Sequence, residues 1–253
     1  MVGDREWGIV VQARMGSTRL PGKMLRPVHK GRNLLETVLQ RLLSTYASER
    51  IVLATTIGSE DDPLVGIAGA AGVAVHRGSS ANVLDRFIGA AAQMGWRHVI
   101  RVCADNPLLQ VRSMAPLVQA GLEGHADYVA YYYSDGLPSI RSHCGLFPEW
   151  VAVEALERAA AEDPAVEYLE HVTNYLYTND RSFSIRRIPI PHEEQIRKWR
   201  LTVDTQADLD LCRRTLDELG DDGSMDLEHL RNYLELHPDM LEEMRLNKLP
   251  HEK

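Results

Sequence analysis

The residues of this chain best suited to chemistry lie together near its N-terminus. The segment 10–25 reads V-V-Q-A-R-M-G-S-T-R-L-P-G-K-M-L, an apolar run followed by a loop that carries Arg14, Arg19 and Lys23. Small residues allow the backbone to approach a ligand closely, and three cations can donate several hydrogen bonds to one anionic group. These residue types at the end of a strand predict a polyphosphate site.

The charge of this loop is opposite to that of the whole chain. Residues 14–32 contain six Lys or Arg and no acid, whereas the 253 residues include 28 Lys and Arg against 36 Asp and Glu, a net charge of −8. Nucleic acids and membrane surfaces require an extended basic face, which an acidic chain lacks. We therefore expect no nucleic-acid partner and no membrane partner.

The loop differs from two common phosphate-binding motifs. Five residues rather than four separate Gly16 from Gly22, and Met24 follows Lys23 where a Walker A motif has a hydroxyl residue. The dinucleotide fingerprint G-x-G-x-x-G is absent as well. The loop therefore argues against a Walker-type ATPase or kinase and against a dinucleotide-binding enzyme.

Two distant aspartates are placed to complement the cations. Asp105 follows the apolar segment 98–103, and Asp204 follows the apolar residues 201–203. Ligands of parallel α/β sheets bind at the carboxyl ends of the strands, where both carboxylates should project. Two carboxylates that face a polyphosphate need a hard cation, and Mg²⁺ combines few carboxylates with phosphate oxygens and water. A turn before proline for Asp105 and a helix cap for Asp204 are the structural alternatives.

Alternating patterns predict the elements that position these residues. Apolar runs predict strands, and apolar residues at helical spacing predict helices. The predicted strands cover 7–13, 51–55, 73–76, 98–103 and 198–203, and the predicted helices cover 33–44, 59–71, 80–94, 149–161, 164–179 and 205–219. Ser59, Asp163 and Thr205 are the expected caps of three helices, and Pro164 is an expected first helical residue. Repeated strand–loop–helix units predict an α/β fold with a mostly parallel sheet and helices on both faces.

The pattern changes between residues 127 and 187, where three consecutive tyrosines precede a stretch rich in Gly and Pro. We expect a single domain over 1–253, with 127–187 as a smaller inserted lobe for acceptor binding and dimerisation. The three cysteines, Cys103, Cys144 and Cys212, are widely spaced and predict free thiols. The N-terminal residues lack the apolar core of a signal peptide, and no apolar run spans a bilayer, so we expect a cytoplasmic protein.

Five segments together resemble a known family. The run Q-A-R-M-G-S-T-R-L-P-G-K resembles the signature of the cytidylyltransferases that make CMP-activated acidic sugars, the CMP-KDO synthetase type. Four further segments resemble its branch called spore coat polysaccharide biosynthesis protein F: R-G-S-S-A-N-V-L-D-R-F (77–87), R-V-C-A-D-N-P-L-L (101–109), E-H-V-T-N-Y-L-Y (170–177) and R-L-T-V-D-T-Q-A-D-L (200–209). They follow the family's order and span nearly the whole chain.

The resemblance implies a Rossmann-like nucleotidyltransferase sheet related to the GT-A glycosyltransferases. It also implies CTP as the donor, a divalent metal and a homodimer. In such an enzyme an acceptor nucleophile attacks the α-phosphorus of CTP and pyrophosphate leaves, so catalysis requires alignment and charge neutralisation. The resemblance places the metal carboxylates at Asp105 and Asp204.

We assign expected roles to the residues on this basis. The expected catalytic residues are Arg14, Lys23 and Asp105, and Mg²⁺ is expected on Asp105 and Asp204. The expected nucleotide-binding residues are Ala13, Arg14, Gly16, Ser17, Arg19, Lys23, Arg77 and Asn82. The expected acceptor-binding residues are Arg141, Glu170 and His171, with His143 and Arg200 nearby. For Arg77 a surface position is the alternative, and for His171 a structural role in a helix.

One departure from the family pattern falls near the expected acceptor site. The branch commonly has phenylalanine–proline–arginine–glycine–leucine–aspartate there, whereas this chain reads L-F-P-E-W-V, with Glu149 and Trp150 at the basic and glycine positions. The motifs of the nucleotide half are intact, so the departure concerns the acceptor.

The leading hypothesis is a Mg²⁺-dependent cytidylyltransferase for a small anionic acceptor, an acidic sugar of surface glycans. A phosphonate or a phosphorylated metabolite is the alternative acceptor. A second hypothesis is a GT-A glycosyltransferase that uses a nucleotide sugar; it requires a D-x-D pair, but Asn106 and Pro107 follow Asp105. A non-catalytic nucleotide-binding module would predict the loss of Lys23 or of a carboxylate, and both are present.

Overall fold

A seven-stranded sheet with the order β5-β4-β1-β6-β8-β7-β9 runs through the centre of the computed structural model, which describes residues 6–162, 168–169, 171–220 and 225–248. Its strands are β1 (Trp7–Gln12), β4 (Ile51–Thr56), β5 (Ala74–Gly78), β6 (His98–Cys103), β7 (Tyr128–Tyr132), β8 (Glu149–Ala152) and β9 (Ile185–Pro189). A separate hairpin is formed by β2 (Pro27–His29) and β3 (Arg32–Asn33).

Helices cover both faces of this sheet. They are α1 (Leu34–Leu43), α2 (Asp62–Ala70), α3 (Val83–Met94), α4 (Met114–Gly124), α5 (Val153–Ala161), α6 (Asn174–Thr178), α7 (Glu193–Ile196), α8 (Gln206–Leu219), α9 (Leu227–Glu235) and α10 (Pro238–Lys248). One core contains Ile9 and Leu53 and the other Val10 and Val52, because successive side chains of a strand point to opposite faces. No helix of the described ranges is both long and apolar enough to cross a bilayer.

The predicted mostly parallel α/β fold is confirmed. β1 is parallel to β4 and β6, β4 is parallel to β5, and β7 is parallel to β9, whereas β8 is antiparallel to β6 and β7. Gln12 at the end of β1 lies opposite Cys103 at the end of β6. The loops that carry Arg14 and Asp105 therefore start side by side at one edge of the sheet.

One predicted strand is wrong, and the predicted helix over 149–161 is confirmed only over Val153–Ala161, which is α5. Residues Glu149–Ala152 form strand β8 rather than the start of a helix, because the segment pairs with β6 and β7 and buries both of its faces. Residues 198–203 form no strand; the segment is held instead by single hydrogen bonds, from Leu201 N to His143 O at 2.9 Å and from Val203 N to Asp105 O at 2.8 Å.

Of the predicted helix caps, Thr205 is confirmed and Ser59 is wrong. Thr205 caps α8 through a capping box with Asp208, as predicted. Ser59 does not cap α2, which begins at Asp62 after a short 3-10 turn. The expected helix over 164–179 is described only in part, with α6 at its end, and Asp163 and Pro164 lie outside the described residues.

The segment 127–187 contributes the strands β7 and β8 and the first three residues of β9 to the central sheet. Its loops and α6 stand at the same side of the sheet as the loops after β1 and β6. The strands of this segment belong to the common sheet. The roles predicted for the segment, acceptor binding and dimerisation, therefore concern its loops and stay predictions.

Candidate active site

The basic loop leaves β1 and is anchored by a buried carboxylate. Asp61 accepts a hydrogen bond from Met15 N at 2.7 Å, and it also accepts hydrogen bonds from Thr55 Oγ1 and from the backbone and hydroxyl of Thr56. Burial would raise the pKa of Asp61, but the hydrogen bonds from Thr56, Met15 and Thr55 outweigh burial and hold the pKa below 3.8. The carboxylate therefore stays charged and ties the start of the loop to β4.

Lys23 joins the loop to both predicted carboxylates. Its Nζ lies 2.9 Å from Asp105 Oδ2 and 3.6 Å from Asp204 Oδ1, and it donates a hydrogen bond of 2.8 Å to Val203 O. Arg19 Nη2 lies 3.0 Å from the same oxygen of Asp204. Charged residues from the first 25 positions and from position 204 thus form one cluster of alternating charge, as the sequence predicted.

The protonation state of Lys23 follows from its neighbours. Burial would lower the pKa of Lys23, but Asp105 and Asp204 outweigh burial and raise the pKa above 10.5. The ammonium group is therefore charged at neutral pH. Its ion pairs contribute stability below pH 10.5, and this contribution is lost only as the pH rises through the raised pKa.

Asp204 is held in place by the first turn of α8. Arg200 is fully buried and binds Asp208 through two hydrogen bonds, Nε to Oδ1 at 2.7 Å and Nη2 to Oδ2 at 3.0 Å. The same carboxylate accepts hydrogen bonds from Asp204 N and Thr205 N. Arg200 is thus a support for Asp204, and the expectation that it lies at the acceptor site is wrong because its guanidinium is committed to Asp208.

The two carboxylates fit a hard divalent cation that is shared with a ligand. Both already contact one positive group, the Lys23 ammonium. Among the described residues no cluster of three or more His, Cys, Asp or Glu side chains could enclose a metal ion. Mg²⁺ is bound by one or two carboxylates together with phosphate oxygens in such sites, so Asp105 and Asp204 fit it.

A cavity of about 690 Å³ opens at this edge of the sheet and brings most of the predicted site residues together. The predicted residues that line it are Ala13, Arg14, Gly16, Ser17, Arg19, Lys23, Asp105, Arg141, His171 and Asp204, and His143 lines it as well. Glu170 lies outside the described residues. The cavity joins the basic loop and the two aspartates on one side to the loops of 127–187 on the other.

Two predicted nucleotide-binding residues do not line the cavity. Arg77 donates hydrogen bonds to Thr56 O at 2.8 Å and Gly58 O at 2.7 Å, so its guanidinium braces the turn after β4. Asn82 caps α3 by accepting a hydrogen bond from Asp85 N at 3.0 Å. The structure therefore agrees with the alternative of a surface position for Arg77 and not with the prediction that it binds the nucleotide.

Sequence reasoning missed Asp61 and Arg101. Asp61 lies in an acidic stretch, 60–62, that resembles an ordinary helix start, and its role depends on the backbone of Met15 from a distant loop. Arg101 lines the cavity from within strand β6. A charged residue in the middle of an apolar strand, V-I-R-V-C, was the available signal for Arg101.

The three cysteines are free thiols, as predicted. Cys103 lines the cavity. Burial, which outweighs the nearby Arg101, raises the pKa of its thiol to about 11. The thiol is therefore protonated at neutral pH and is a poor nucleophile.

Several known proteins are similar to this chain over most of its length. A family model described as cytidylyltransferase matches residues 8–246. The spore coat polysaccharide biosynthesis protein SpsF of Bacillus subtilis (strain 168) is 29% identical over 235 residues, which cover 91% of this chain and 94% of SpsF. The 3-deoxy-manno-octulosonate cytidylyltransferase of Methylococcus capsulatus is 24% identical over 253 residues, with coverage of 83% and 97%. A solved cytidylyltransferase from Leptospira borgpetersenii is 26% identical, covers 93% of this chain and 96% of its own, and superposes with a TM-score of 0.84.

Proposed function

Because this chain belongs to the cytidylyltransferase family, we propose that it transfers CMP from CTP to a small anionic acceptor, an acidic sugar of surface polysaccharides, and releases pyrophosphate. The observation that carries the proposal is the contact of Lys23 Nζ with both Asp105 and Asp204 at the wall of the 690 Å³ cavity. The names of the relatives support a sugar acceptor, since one acts in spore coat polysaccharide biosynthesis and another on 3-deoxy-manno-octulosonate.

The basic loop would bind the triphosphate. Gly16 and Ser17 line the cavity where the backbone leaves β1, and Arg14 and Arg19 add positive charge. Lys23 is placed to neutralise the charge that develops on the phosphates as pyrophosphate leaves. Preorganised donors of this kind accelerate phosphoryl chemistry without forming a covalent bond to the protein.

Asp105 and Asp204 would hold Mg²⁺ together with the phosphates. The ion would supply charge neutralisation and polarisation of the α-phosphate. Arg200 and Asp208 keep Asp204 in a fixed orientation, which limits the reorganisation needed when the ion binds.

The acceptor would approach from the loops of 127–187. Arg141 is exposed at the cavity and makes no ion pair within the described residues, so it is suited to bind an anionic group. The cytoplasm, which supplies CTP and Mg²⁺, is the proposed location, and a homodimer is the proposed assembly.

Pyrophosphate release under CTP and Mg²⁺ with a panel of sugar acids tests the proposal. We expect release with CTP, formation of a CMP conjugate, and a loss of about 10²–10³-fold in rate for Asp105→Asn. The matched control is Asp180→Asn, which removes an exposed carboxylate that forms an ion pair with Arg187. This variant should retain activity.

Two results would contradict the proposal. The first is the absence of release across the panel together with CTP binding that Asp105→Asn leaves unchanged. The second is consumption of a nucleotide sugar with transfer of its glycosyl group, which would favour the GT-A glycosyltransferase alternative. Release only with phosphonates or phosphorylated metabolites would instead change the acceptor class.

A further inference from the structure

The Lys23 ammonium lies between the two carboxylates that are proposed to hold the metal ion. Its Nζ is 2.9 Å from Asp105 Oδ2 and 3.6 Å from Asp204 Oδ1, and it donates a hydrogen bond of 2.8 Å to Val203 O. Only 9% of the residue is exposed. The ammonium is therefore a buried member of this cluster and not a mobile surface charge.

The charges around the two carboxylates are already balanced by the protein. Asp204 has two further cationic neighbours, with Arg19 Nη2 at 3.0 Å from its Oδ1 and Arg200 Nη2 at 3.6 Å from its Oδ2. Arg200 also forms an ion pair with Asp208 at 2.7 Å. The described cluster combines the carboxylates of Asp105, Asp204 and Asp208 with the cations of Lys23, Arg19 and Arg200. Carboxylates and cations are equal in number.

A divalent ion by itself would meet a cluster that already contains a cation at its centre. An ammonium and a doubly charged ion at such short distances repel each other strongly, especially where the side chains are buried. Binding of the ion therefore requires that Lys23 leave Asp105 and Asp204. Without another anion nearby, this movement would leave a buried ammonium without a partner, which is costly.

A polyphosphate can supply the missing partner. Arg14, Gly16 and Ser17 line the same cavity as Lys23, so phosphates bound by this loop would lie beside the ammonium. A lysine carries a compact charge on a flexible four-carbon chain, and its ammonium can turn from a carboxylate to a phosphate oxygen and still form an ion pair. The same movement would release the carboxylate oxygens for a divalent ion.

We infer that Lys23 excludes a divalent cation from Asp105 and Asp204 until a polyphosphate binds its ammonium. The inference rests on the proposed function and adds an order of binding to it, because the protein takes up the ion with the nucleotide or after it. The affinities for the ion and for the polyphosphate are then coupled, and each ligand raises the affinity for the other by the same factor. Lys23 thus controls metal binding in addition to its proposed contact with the phosphates.

Titration with Mn²⁺ in the absence of nucleotide tests this inference. The sharp electron paramagnetic resonance signal of the free ion weakens when a protein binds the ion. Lys23→Met keeps the length of the side chain and removes its charge. We expect this variant to bind a single Mn²⁺ at least about tenfold more tightly than the unmodified protein does.

Two further variants locate the ion and control for net charge. The double variant Lys23→Met with Asp105→Asn removes a ligand of the ion as well as the ammonium, so it should lose the gain. Lys198→Met removes an exposed lysine outside the cavity, whose charge is screened by water and salt. It should bind Mn²⁺ as weakly as the unmodified protein.

The unmodified protein allows a second measurement, which decides even if circular dichroism shows that Lys23→Met does not fold. The relaxation rate of water protons rises when Mn²⁺ binds to a large molecule. With the protein and Mn²⁺ together, we expect a large rise only after CTP is added. A large rise before CTP is added that Asp105→Asn abolishes would contradict the inference.

Equal Mn²⁺ affinities of the unmodified protein and Lys23→Met would overturn the inference. So would a gain in Lys23→Met that persists in the double variant, because the ion would then lie elsewhere. Calorimetric titration of the unmodified protein with CTP separates these failures from failure of the proposed function. If CTP binds but adds no rise in proton relaxation, the inference alone fails, whereas absent CTP binding contradicts the proposed function.

Discussion

Lys23 is the residue on which the site depends most at the scale of single side chains. It neutralises two carboxylates that would otherwise repel each other and any polyphosphate brought near them. Its contact with Val203 O also joins the loop after β1 to the segment before α8. The Lys23 ammonium group therefore balances the charge of the two carboxylates and also holds together two segments at the cavity.

We predict that Lys23→Ala lowers the rate of pyrophosphate release by about 10²–10³-fold, because one preorganised donor is lost. Removal of the cation also leaves Asp105 and Asp204 without their shared partner, so the midpoint of thermal unfolding should fall. Lys198→Ala, an exposed lysine outside the cavity, should change neither quantity. A rate within threefold of the unmodified enzyme would contradict the assigned role.

Asp61 acts at the same scale but through the backbone. We predict that Asp61→Asn costs about 1–3 kcal/mol of unfolding free energy at pH 7, because buried donors on Thr55, Thr56 and Met15 lose a charged acceptor. Since the pKa of Asp61 lies below 3.8 in the folded state, this contribution is present above pH 3.8 and is lost as the pH falls through the lowered pKa.

Urea denaturation of Asp61→Asn between pH 3 and pH 7 measures this effect. Asp62→Asn is the matched neighbour, since its exposed carboxylate makes a surface ion pair with Arg77 and should cost little. Affinity for CTP should fall in Asp61→Asn and not in Asp62→Asn. A stability difference between the two variants that does not diminish below pH 3.8 would contradict the assignment.

At the scale of elements, β8 and α4 fit each other through a glycine. Gly121 of α4 lies against the indole of Trp150, which leaves no room for a Cβ. Trp150 is fully buried and stacks on His98 with a centroid distance of 4.8 Å. The tryptophan at the family's glycine position is therefore accommodated by the facing helix, while its neighbour Glu149 points to the opposite face of the sheet.

We predict opposite effects for one substitution at two helical glycines. Gly121→Ala should lower the free energy of unfolding by about 1–3 kcal/mol, because the new methyl group overlaps the Trp150 ring. Gly66→Ala in α2, where the Cβ meets open space, should raise it by about 0.4–1 kcal/mol through the unfolded state. Chemical denaturation of both variants measures the signs, and shifts in the same direction would contradict the packing described.

For the whole molecule, the cavity spans loops from both halves of the chain, so ligand binding should stabilise the entire fold. We predict that CTP with Mg²⁺ at 100 times its dissociation constant adds about 2.7 kcal/mol of stability. ATP and UTP at the same concentration should add less. Thermal shift measurements with each nucleotide test the selectivity, and equal shifts for all three would remove cytidine from the proposed function.

The sequence by itself determined the parallel strands β1, β4, β5 and β6, the position of the basic loop after β1 and the proximity of that loop to Asp105 and Asp204. Local periodicity and strand-end positions carry this information, because parallel strands bring their carboxyl ends to one edge. The tertiary structure alone decided the assignments that depend on partners distant in sequence. In the structure Arg77 braces the turn after β4, Arg200 supports Asp204 through Asp208, and Asp61 anchors the loop after β1. Residues 149–152 form a strand that pairs Glu149 with Arg101. Whether a charged side chain faces a ligand or a buried partner depends on which elements pack against it, and no local pattern contains that information.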